Sequence, residues 1–341
     1  QSAAMCSEGE SRISGKPGIV CVTSGPGGTN TLTGVAGAWI DSIPMIIFSG
    51  QVMKKEMINN QKIRQFGIQE INIVDIVKNI TKYSVTIKNP QEIDYHLKKS
   101  YYLATSAKKG PVWIDIPLDV QNAIIDTKRL KKFIKPKSTN PKIDYKKILN
   151  LLNISKKPLI MTGYGIRSSN AIKEFKKLYN LLDVPFISSW NSSDLFETNS
   201  NKYIGRIGIF GDRASNYIQN QCDFILILGS RMSIPQIGYN YDLFAPNAKK
   251  VIVDISKKEL NKISLKKYIK INCDLNFFIN ELNNNLKKKK NLNHNNWLKK
   301  CNKLKIKYPV LKESQSHINK SRLINSFKFI DVLSKESKKN E

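Results

Sequence analysis

Short apolar runs typical of buried strands alternate with helical patterns along most of the chain. The segment "VTSGPGGTNTLTGVAGAWIDSIPMIIFSGQV", residues 22–52, starts in a strand, passes through a glycine turn into a helix and ends in a second strand. Such β-α alternation is typical of parallel sheets that helices cover on both faces. A basic, proline-punctuated stretch at 126–141 interrupts the alternation. The sequence therefore predicts an α/β fold with two doubly wound parallel-sheet domains.

The predicted elements follow from apolar runs, turn residues and helix caps. In the first domain, strands are predicted at 19–23, 45–49, 83–87 and 112–115, the first of them of the buried type, and helices at 31–40 and 90–106. In the second domain, strands are predicted at 159–162, 185–188, 224–228, 250–255 and 268–271, with a helix at 170–182. From residue 276 onward the chain is predicted to be helical and lysine-rich, with a last helix at 321–334.

Composition excludes several classes of protein. With 341 residues and 40% hydrophobic residues, the chain is expected to be globular. Its net charge of +29 raises the alternative of a nucleic-acid or anionic-membrane partner. The densest lysines, at 128–137 and 287–290, lack the interleaved aromatic residues of single-strand binders, so we predict no nucleic-acid partner. Apolar runs such as 45–48 are too short to span a bilayer, and we predict no membrane association.

Cysteine and histidine residues show no metal-site spacing. The five cysteines form no CxxC pair, which predicts reduced, buried thiols in a cytoplasmic protein and neither disulfides nor a metal site. These cysteines are Cys6, Cys21, Cys222, Cys273 and Cys301. The three histidines lie in lysine-rich helical stretches and are predicted to be surface residues. They are His96, His294 and His317.

The glycine turn "SGPGGTN" at 24–30 leaves alternatives open when it is considered by itself. A glycine turn between a strand and a helix can bind phosphate through backbone amides and the helix dipole. The Walker form is excluded, because Gly28-Thr29-Asn30 stands where a Gly-Lys-Ser/Thr ending is required. The dinucleotide form GxGxxG fails at its third glycine. A structural crossover turn remains the alternative to a binding turn.

The turn is one of several motifs that occur together and in order. They are the full string at 22–52, "RQFGIQE", "ITKYSVTIKNPQEI", "YLATSAKKGPVWIDIPLDVQ", "KPLIMTGYGI", "DFILILGSRM" and "VIVDI". With this order and spacing the chain resembles thiamine diphosphate-dependent enzymes of the acetolactate (acetohydroxyacid) synthase type, over nearly its whole length. The resemblance implies three α/β domains in the family, of which this sequence matches the first two.

The resemblance implies a domain assignment. Residues 1–125 match the pyrimidine-binding domain without its extreme N-terminus, and 126–141 match a linker. Residues 142–290 match the central domain, and 291–341 a helical connection toward a diphosphate-binding domain that would bind Mg²⁺. The family glutamate that acts on the cofactor pyrimidine would precede Gln1 by one residue. We therefore expect an internal fragment that has no carboligase activity by itself.

Site residues are implied by matching motifs. Pro26, Gly27 and Asn30 match the family turn that lines the aminopyrimidine of thiamine diphosphate. Gln69 matches the glutamine of a Phe-Gln-Glu motif beside the reacting centre and is the catalytic candidate, whereas Ile68 replaces the phenylalanine. The alternative for Gln69 is a surface residue at a helix cap.

In the central domain the family binds FAD in a structural role. Gly163 and Gly165 match its glycine-rich turn, and Arg231 matches an arginine that contacts the flavin dinucleotide. Asp254 and Ile255 lie where the chain passes the adenosine end. Because related enzymes keep this domain without flavin, a domain that serves as scaffold alone is the alternative.

The implied function is a carboligase or decarboxylase that acts on a 2-keto acid such as pyruvate, in a homodimer or homotetramer. A non-catalytic interaction protein is the competing class. Leu118 replaces a lysine of the family. The family also has an Asp-Arg pair after the flavin arginine, whose arginine holds the carboxylate of the acceptor, and this chain has "RMSIPQIGYN" there instead. These departures predict a different acceptor, such as a keto-sugar nucleotide, unless Arg206 or Arg213 supplies the lost charge.

Overall fold

The computed structural model describes residues 1–58, 62–137, 139–262, 268–288, 292–311 and 324–337. The chain divides into two compact units, Gln1–Asn140 and Pro141–Glu341. Each unit contains one sheet of parallel strands flanked by helices, so the predicted α/β class is confirmed.

The first unit begins with a helix and continues as repeated strand–helix segments. Its strands are β1 (Gly18–Val22), β2 (Met45–Gln51), β3 (Tyr83–Thr86) and β4 (Pro111–Pro117). Its helices are α1 (Ser2–Ser14), α2 (Pro26–Thr29), α3 (Leu32–Asp41), α4 (Ile73–Val77), α5 (Ile93–Thr105) and α6 (Leu118–Gln121), with 3-10 turns at Lys54–Glu56 and Pro90–Glu92. The strand order is β1-β2-β4-β3.

Helix α5 shows how the sequence specifies the core of this unit. The Asn89 side chain accepts a hydrogen bond from the Gln91 amide, which starts the 3-10 turn from which the helix continues. Ala104 then packs with Ile46, Val112 and other buried residues of the central strands. The edge strand β1 differs from the prediction of a buried strand, because Ile19 is 62% exposed on a face that the described residues leave uncovered.

The second unit is a longer repetition of the same pattern. Its strands are β5 (Pro158–Thr162), β6 (Phe186–Ser188), β7 (Tyr203–Arg206), β8 (Phe224–Leu228), β9 (Lys249–Asp254) and β10 (Tyr268–Asn272). Its helices are α7 (Tyr145–Ile154), α8 (Gly165–Ser168), α9 (Ile172–Leu181), α10 (Arg213–Gln221), α11 (Ile234–Ile237), α12 (Lys257–Asn261), α13 (Leu275–Lys287), α14 (Asn295–Lys307) and α15 (Ser326–Glu336), with 3-10 turns at Trp190–Leu195 and Tyr241–Leu243.

The six strands are ordered β10-β9-β8-β5-β6-β7, and hydrophobic clusters cover both faces of the sheet. On β5, Ile160 belongs to one cluster, whereas Leu159 and Met161 belong to the other. Successive side chains of a strand point to opposite faces, so every residue of β5 is buried, and all but Thr162 at its end are apolar. This is the doubly wound architecture that the sequence predicts.

Several elements of this unit were not predicted, among them β7, α7 and α10. Strand β7 reads Tyr-Ile-Gly-Arg and lacks an apolar run, while α10 is mostly polar. The last helix begins at Ser326, later than predicted, and part of the predicted helix lies outside the described residues. No helix among the described residues is long and apolar enough to cross a membrane.

The predictions for cysteine and histidine residues need correction. Cys222, Cys273 and Cys301 are buried free thiols, but Cys6 and Cys21 are exposed because they lie on uncovered faces of α1 and β1. His96 and His294 are buried rather than on the surface, each 8% exposed. His96 packs against Tyr83, whose hydroxyl lies 2.7 Å from the His96 Nδ1. His317 lies outside the described residues.

Candidate functional site

The glycine turn lies at the carboxyl edge of the first sheet, directly after β1. Gly25 has φ +62° and ψ −123°, and Pro26 starts the single helical turn of α2. The Thr29 and Asn30 amides donate to the Gly25 and Pro26 carbonyls at 3.0 Å each. These two amides are therefore used within the turn, while the side chains of Pro26 and Asn30 are exposed.

Two of the three glycines in the turn, Gly25 and Gly27, are explained by neighbouring groups of the protein. A β-carbon on Gly25 would come 2.5 Å from the Gln69 carbonyl oxygen, closer than real contacts allow. One on Gly27 would come 2.7 Å from the Thr23 methyl group, and one on Gly28 would meet Ile73 at 3.4 Å. The glycines thus allow the turn to pack against the protein itself, and the exposed side of the turn carries Pro26 and Asn30.

Gln69 lies against this turn. Its own φ is +56°, and it belongs to a bend between β2 and α4 rather than to a helix cap. The close approach of its carbonyl oxygen to Gly25 brings the catalytic candidate against the turn that carries Pro26, Gly27 and Asn30, and Gln69 itself is exposed. Ile68, which replaces the family phenylalanine, is 88% exposed.

The buried side chain of Glu70 holds this bend in place. Glu70 was not identified as a functional residue from the sequence. It is 8% exposed, and its carboxylate accepts hydrogen bonds from the backbone amides of Ile58, Phe66 and Gly67. An ionised carboxylate that accepts several backbone amides fixes the surrounding chain, because charge-assisted hydrogen bonds are strong. The sequence signal that could have identified Glu70 is its place directly after Gln69, as the glutamate of the matched Phe-Gln-Glu motif.

The second unit has its strand order reversal between β5 and β8. Counted from β5, the order is 3-2-1-4-5-6, and in such sheets ligands bind outside the carboxyl ends of the strands where the order reverses. Gly163 and Gly165 follow β5, Arg231 follows β8, and Asp254 ends β9. The structure therefore brings these four predicted residues to one edge of three neighbouring strands.

The two glycines after β5 serve close packing between turns. A β-carbon on Gly163 would lie 2.3 Å from the Gly229 carbonyl oxygen, and one on Gly165 would lie 2.6 Å from the Gly229 Cα. Their amides donate to the Leu228 and Gly229 carbonyls at 2.9 and 3.0 Å. Because these donors are already used, the glycines do not offer amides to a phosphate group.

Among the predicted residues, Arg231 and Asp254 bring charged groups to this edge. Arg231 is exposed, and Asp254 is half-buried with its Oδ1 accepting the Ser256 amide at 2.7 Å. Asp254 also lines a small cavity with Ser230 and Met232. Ile255 is 37% exposed, and its carbonyl accepts from the Asn272 side chain.

The proposed substitutes for the lost acceptor arginine are both engaged. The Arg213 guanidinium donates to the Pro309 carbonyl at 3.3 Å and lies over the Tyr308 ring. Arg206 lies 3.6 Å from the Asp212 carboxylate. In the described part of the chain, no cluster of three or more His, Cys, Asp and Glu residues is arranged to hold a metal ion.

Comparison with known proteins identifies both units. Residues 1–76 match the N-terminal TPP binding domain of thiamine pyrophosphate enzymes, and residues 145–282 match the central domain of the same enzymes. The chain therefore belongs to the thiamine pyrophosphate enzymes, of which it carries these two domains.

Its relatives include acetolactate synthase large subunits. The chain is 34% identical to a probable large subunit of Methanocaldococcus jannaschii over 77% of this chain and 44% of the relative. It is 33% identical to the Lactococcus lactis large subunit over 93% of this chain and 54% of the relative. With the Escherichia coli isozyme 2 large subunit it shares 28% identity over 89% of this chain and 53% of the relative. The chain thus spans about half the length of these relatives.

Proposed function

We propose that the protein acts as a thiamine diphosphate-dependent carboligase or decarboxylase on a 2-keto acid such as pyruvate. The observation that carries this proposal is the contact between the Gly25 turn and Gln69 in a domain that matches the TPP binding family model. The names of the relatives, acetolactate synthase large subunits, support the same reaction class. A non-catalytic interaction protein has no comparable observation in its favour.

The residues of the chain have distinct tasks in this proposal. Thiamine diphosphate, when bound, supplies the electron sink for the decarboxylation. Pro26, Gly27 and Asn30 are the residues that would line its aminopyrimidine. Gln69 presents a neutral amide that both donates and accepts hydrogen bonds, so it can orient a keto acid beside that ring without adding charge. Glu70 keeps the Gln69 segment in place through the hydrogen bonds that its carboxylate accepts from three backbone amides.

Further parts of the proposal concern the whole protein. We place Mg²⁺ and the cofactor diphosphate in a diphosphate-binding domain of the kind that follows the central domain in the family. We also expect a homodimer or homotetramer, with no nucleic-acid or membrane partner. The buried free thiols of Cys222, Cys273 and Cys301 suit a reducing compartment such as the cytoplasm.

FAD is the second cofactor that we propose, in a structural role at the edge formed by β5, β8 and β9. The strand order reversal and the exposed Arg231 fit a dinucleotide, because guanidinium binds phosphate well. Asp254 offers a carboxylate for ribose hydroxyls, and Ile255 an apolar contact. Gly163 and Gly165 act indirectly, by letting the two turns approach.

The test of the reaction class uses the full-length protein with thiamine diphosphate, Mg²⁺ and pyruvate. We expect carbon dioxide release, and a loss on the order of tenfold or more in kcat for Gln69→Ala, since misplacing a reacting group is costly. Gln221→Ala at the end of α10 serves as the control and should leave kcat unchanged. Absence of turnover with any 2-keto acid would favour the non-catalytic alternative.

We further propose a changed acceptor, because Leu118 is 43% exposed where the family lysine stands, and because the Asp-Arg pair that follows the flavin arginine in the family is absent after Arg231. Removing a cation from a carboxylate site lowers both affinity and selectivity. The full-length enzyme should form little acetolactate from pyruvate alone and should respond to a larger acceptor such as a keto-sugar nucleotide. Acetolactate formation at the rate of carbon dioxide release would contradict the changed acceptor while leaving the reaction class intact.

A further inference from the structure

A buried carboxylate in the first unit has no role in the site described above. Asp115 lies in β4, within the apolar run Val-Trp-Ile-Asp-Ile, and is 1% exposed. Burial raises the pKa of its carboxyl group, while three side-chain hydrogen bonds oppose that rise. Burying an ionisable group in a sheet is costly unless its hydrogen-bonding capacity is satisfied.

The strand register explains how Asp115 obtains its partners. Ser49 on β2 and Thr86 on β3 are both aligned with Asp115 across the parallel ladder. The Ser49 hydroxyl donates to Oδ1 at 2.6 Å, and the Thr86 hydroxyl donates to Oδ2 at 3.0 Å. The Trp113 indole in turn donates to the Ser49 hydroxyl at 2.8 Å. The carboxylate therefore accepts hydrogen bonds from both neighbouring strands.

Gln51 extends this network beyond the sheet. It lies two residues after Ser49 on the same face of β2 and is 5% exposed. Its Nε2 donates both to the Asp115 Oδ2, at 3.1 Å, and to the Ile71 carbonyl oxygen, at 3.0 Å. Its Oε1 accepts the Val52 amide at 3.0 Å, which fixes the orientation of the side-chain amide.

The Ile71 carbonyl is two residues beyond Gln69, so Gln51 holds one end of the segment that contacts the Gly25 turn. Glu70 holds the same segment from the other side. We infer that Asp115 is a positioning residue: through Gln51 it fixes the height of the Gln69 segment above the carboxyl edge of the sheet. This inference rests on the proposed function for its effect on activity.

The enzymatic test is a double-mutant cycle in the full-length protein. Asp115→Asn should lower kcat on the order of tenfold, since displacement of about 1 Å can cost about 100-fold. In the Gln69→Ala background, Asp115→Asn should lower kcat little further, because both substitutions act through Gln69. If the kcat losses of the two single variants multiply in the double variant, the inference is overturned. Thr105→Val is the control, since the Thr105 hydroxyl donates to the Tyr101 carbonyl on α5, outside this network.

A second measurement does not depend on activity. Hydrogen exchange of the amides of Phe66 and Gly67, which donate to Glu70, should accelerate at least about fivefold in Asp115→Asn and Gln51→Leu, because local opening follows loss of local contacts. Thr105→Val should leave this exchange unchanged. Unchanged exchange in both variants would overturn the link. If the wild-type protein showed no carboligase activity, the proposed function would fail, and the exchange result alone would decide the link.

Discussion

The carbonyl oxygen of Gln69 occupies the space where a side chain of Gly25 would begin, because a β-carbon there would be 2.5 Å from it. The two residues are 44 positions apart in the sequence, and both have positive φ angles, +62° for Gly25 and +56° for Gln69. The turn after β1 and the bend before α4 are therefore matched surfaces. A side chain at position 25 would therefore have to displace the Gln69 carbonyl or the turn itself.

The first prediction concerns Gly25→Ala. The substitution forces a non-glycine residue into a left-handed conformation and against the Gln69 carbonyl, so we expect a loss of at least about 1–2 kcal/mol in the free energy of unfolding. It should also lower carboligase activity more than this stability loss explains. Denaturant unfolding and steady-state kinetics of the full-length protein measure the two effects.

Gly9→Ala is the matched control for this change. Nothing lies within 4 Å of the added β-carbon in the interior of α1, and alanine favours helix over glycine by about 1 kcal/mol. We expect this variant to be as stable as the wild type or more so, with normal activity. Equal behaviour of the two variants would contradict the tight contact between Gly25 and Gln69.

The second prediction separates packing from ligand contact at the edge of the second sheet. Gly163→Ala places a β-carbon 2.3 Å from the Gly229 carbonyl oxygen and should destabilise the protein by about 1–3 kcal/mol, with or without FAD. Arg231→Ala changes an exposed side chain and should alter stability by no more than about 0.5 kcal/mol while lowering flavin content. Absorbance of the purified proteins and thermal unfolding with added FAD measure both. A wild-type protein that neither retains nor is stabilised by FAD would contradict the flavin proposal.

The fold was predictable because its signals are local. Strands such as β8 are continuous apolar runs, which fully buried parallel strands require. Strand β7 was missed because its Gly205 and Arg206 break the apolar pattern, and its place in the sheet depends on pairing with β6. Tertiary pairing overrides local preference at such short strands.

The candidate site was predictable as a set of motifs and not as a set of contacts. The sequence singled out Gln69 and the Gly25 turn separately, and their contact across 44 positions required the fold. Asp115 and Gln51 were missed because their roles depend on the register of β2 and β4. The burial of His96 was missed for a related reason, since the helix pattern of α5 does not show which of its faces packs on Tyr83.

The third prediction concerns the thiols. Burial raises the pKa of Cys222 to about 12 and that of Cys273 to about 11, and it also raises the pKa of Cys301. Because the thiolate is the reactive form, alkylation by iodoacetamide at pH 8 should spare these three residues in the native protein. Cys6 is exposed and is the internal reference. Peptide mapping should show labelling of Cys6 and of the likewise exposed Cys21 first. Early labelling of Cys222 would contradict the buried core of the second unit.

The last prediction is a pH dependence of stability that arises from His96. Burial lowers the pKa of this imidazole below its ordinary value of 6.5, a neighbouring Glu92 opposes the shift, and Lys99 and Lys131 reinforce it. The native state therefore prefers the neutral ring, and the unfolded state binds the proton first as the pH falls. Stability is then retained above pH 6.5 and decreases as the pH falls from 6.5 toward the folded-state pKa.

We expect His96→Gln to cost about 1 kcal/mol at pH 8, because the hydrogen bond to the Tyr83 hydroxyl is altered, and to weaken the decrease of stability below pH 6.5. His294, whose pKa burial also lowers, contributes in the same direction, so His294→Gln is the matched comparison and the double variant should be flatter than either single one. Urea unfolding at intervals between pH 8 and pH 5 measures the slopes. A slope in His96→Gln equal to that of the wild type would show that this histidine is as readily protonated in the folded protein as in the unfolded chain.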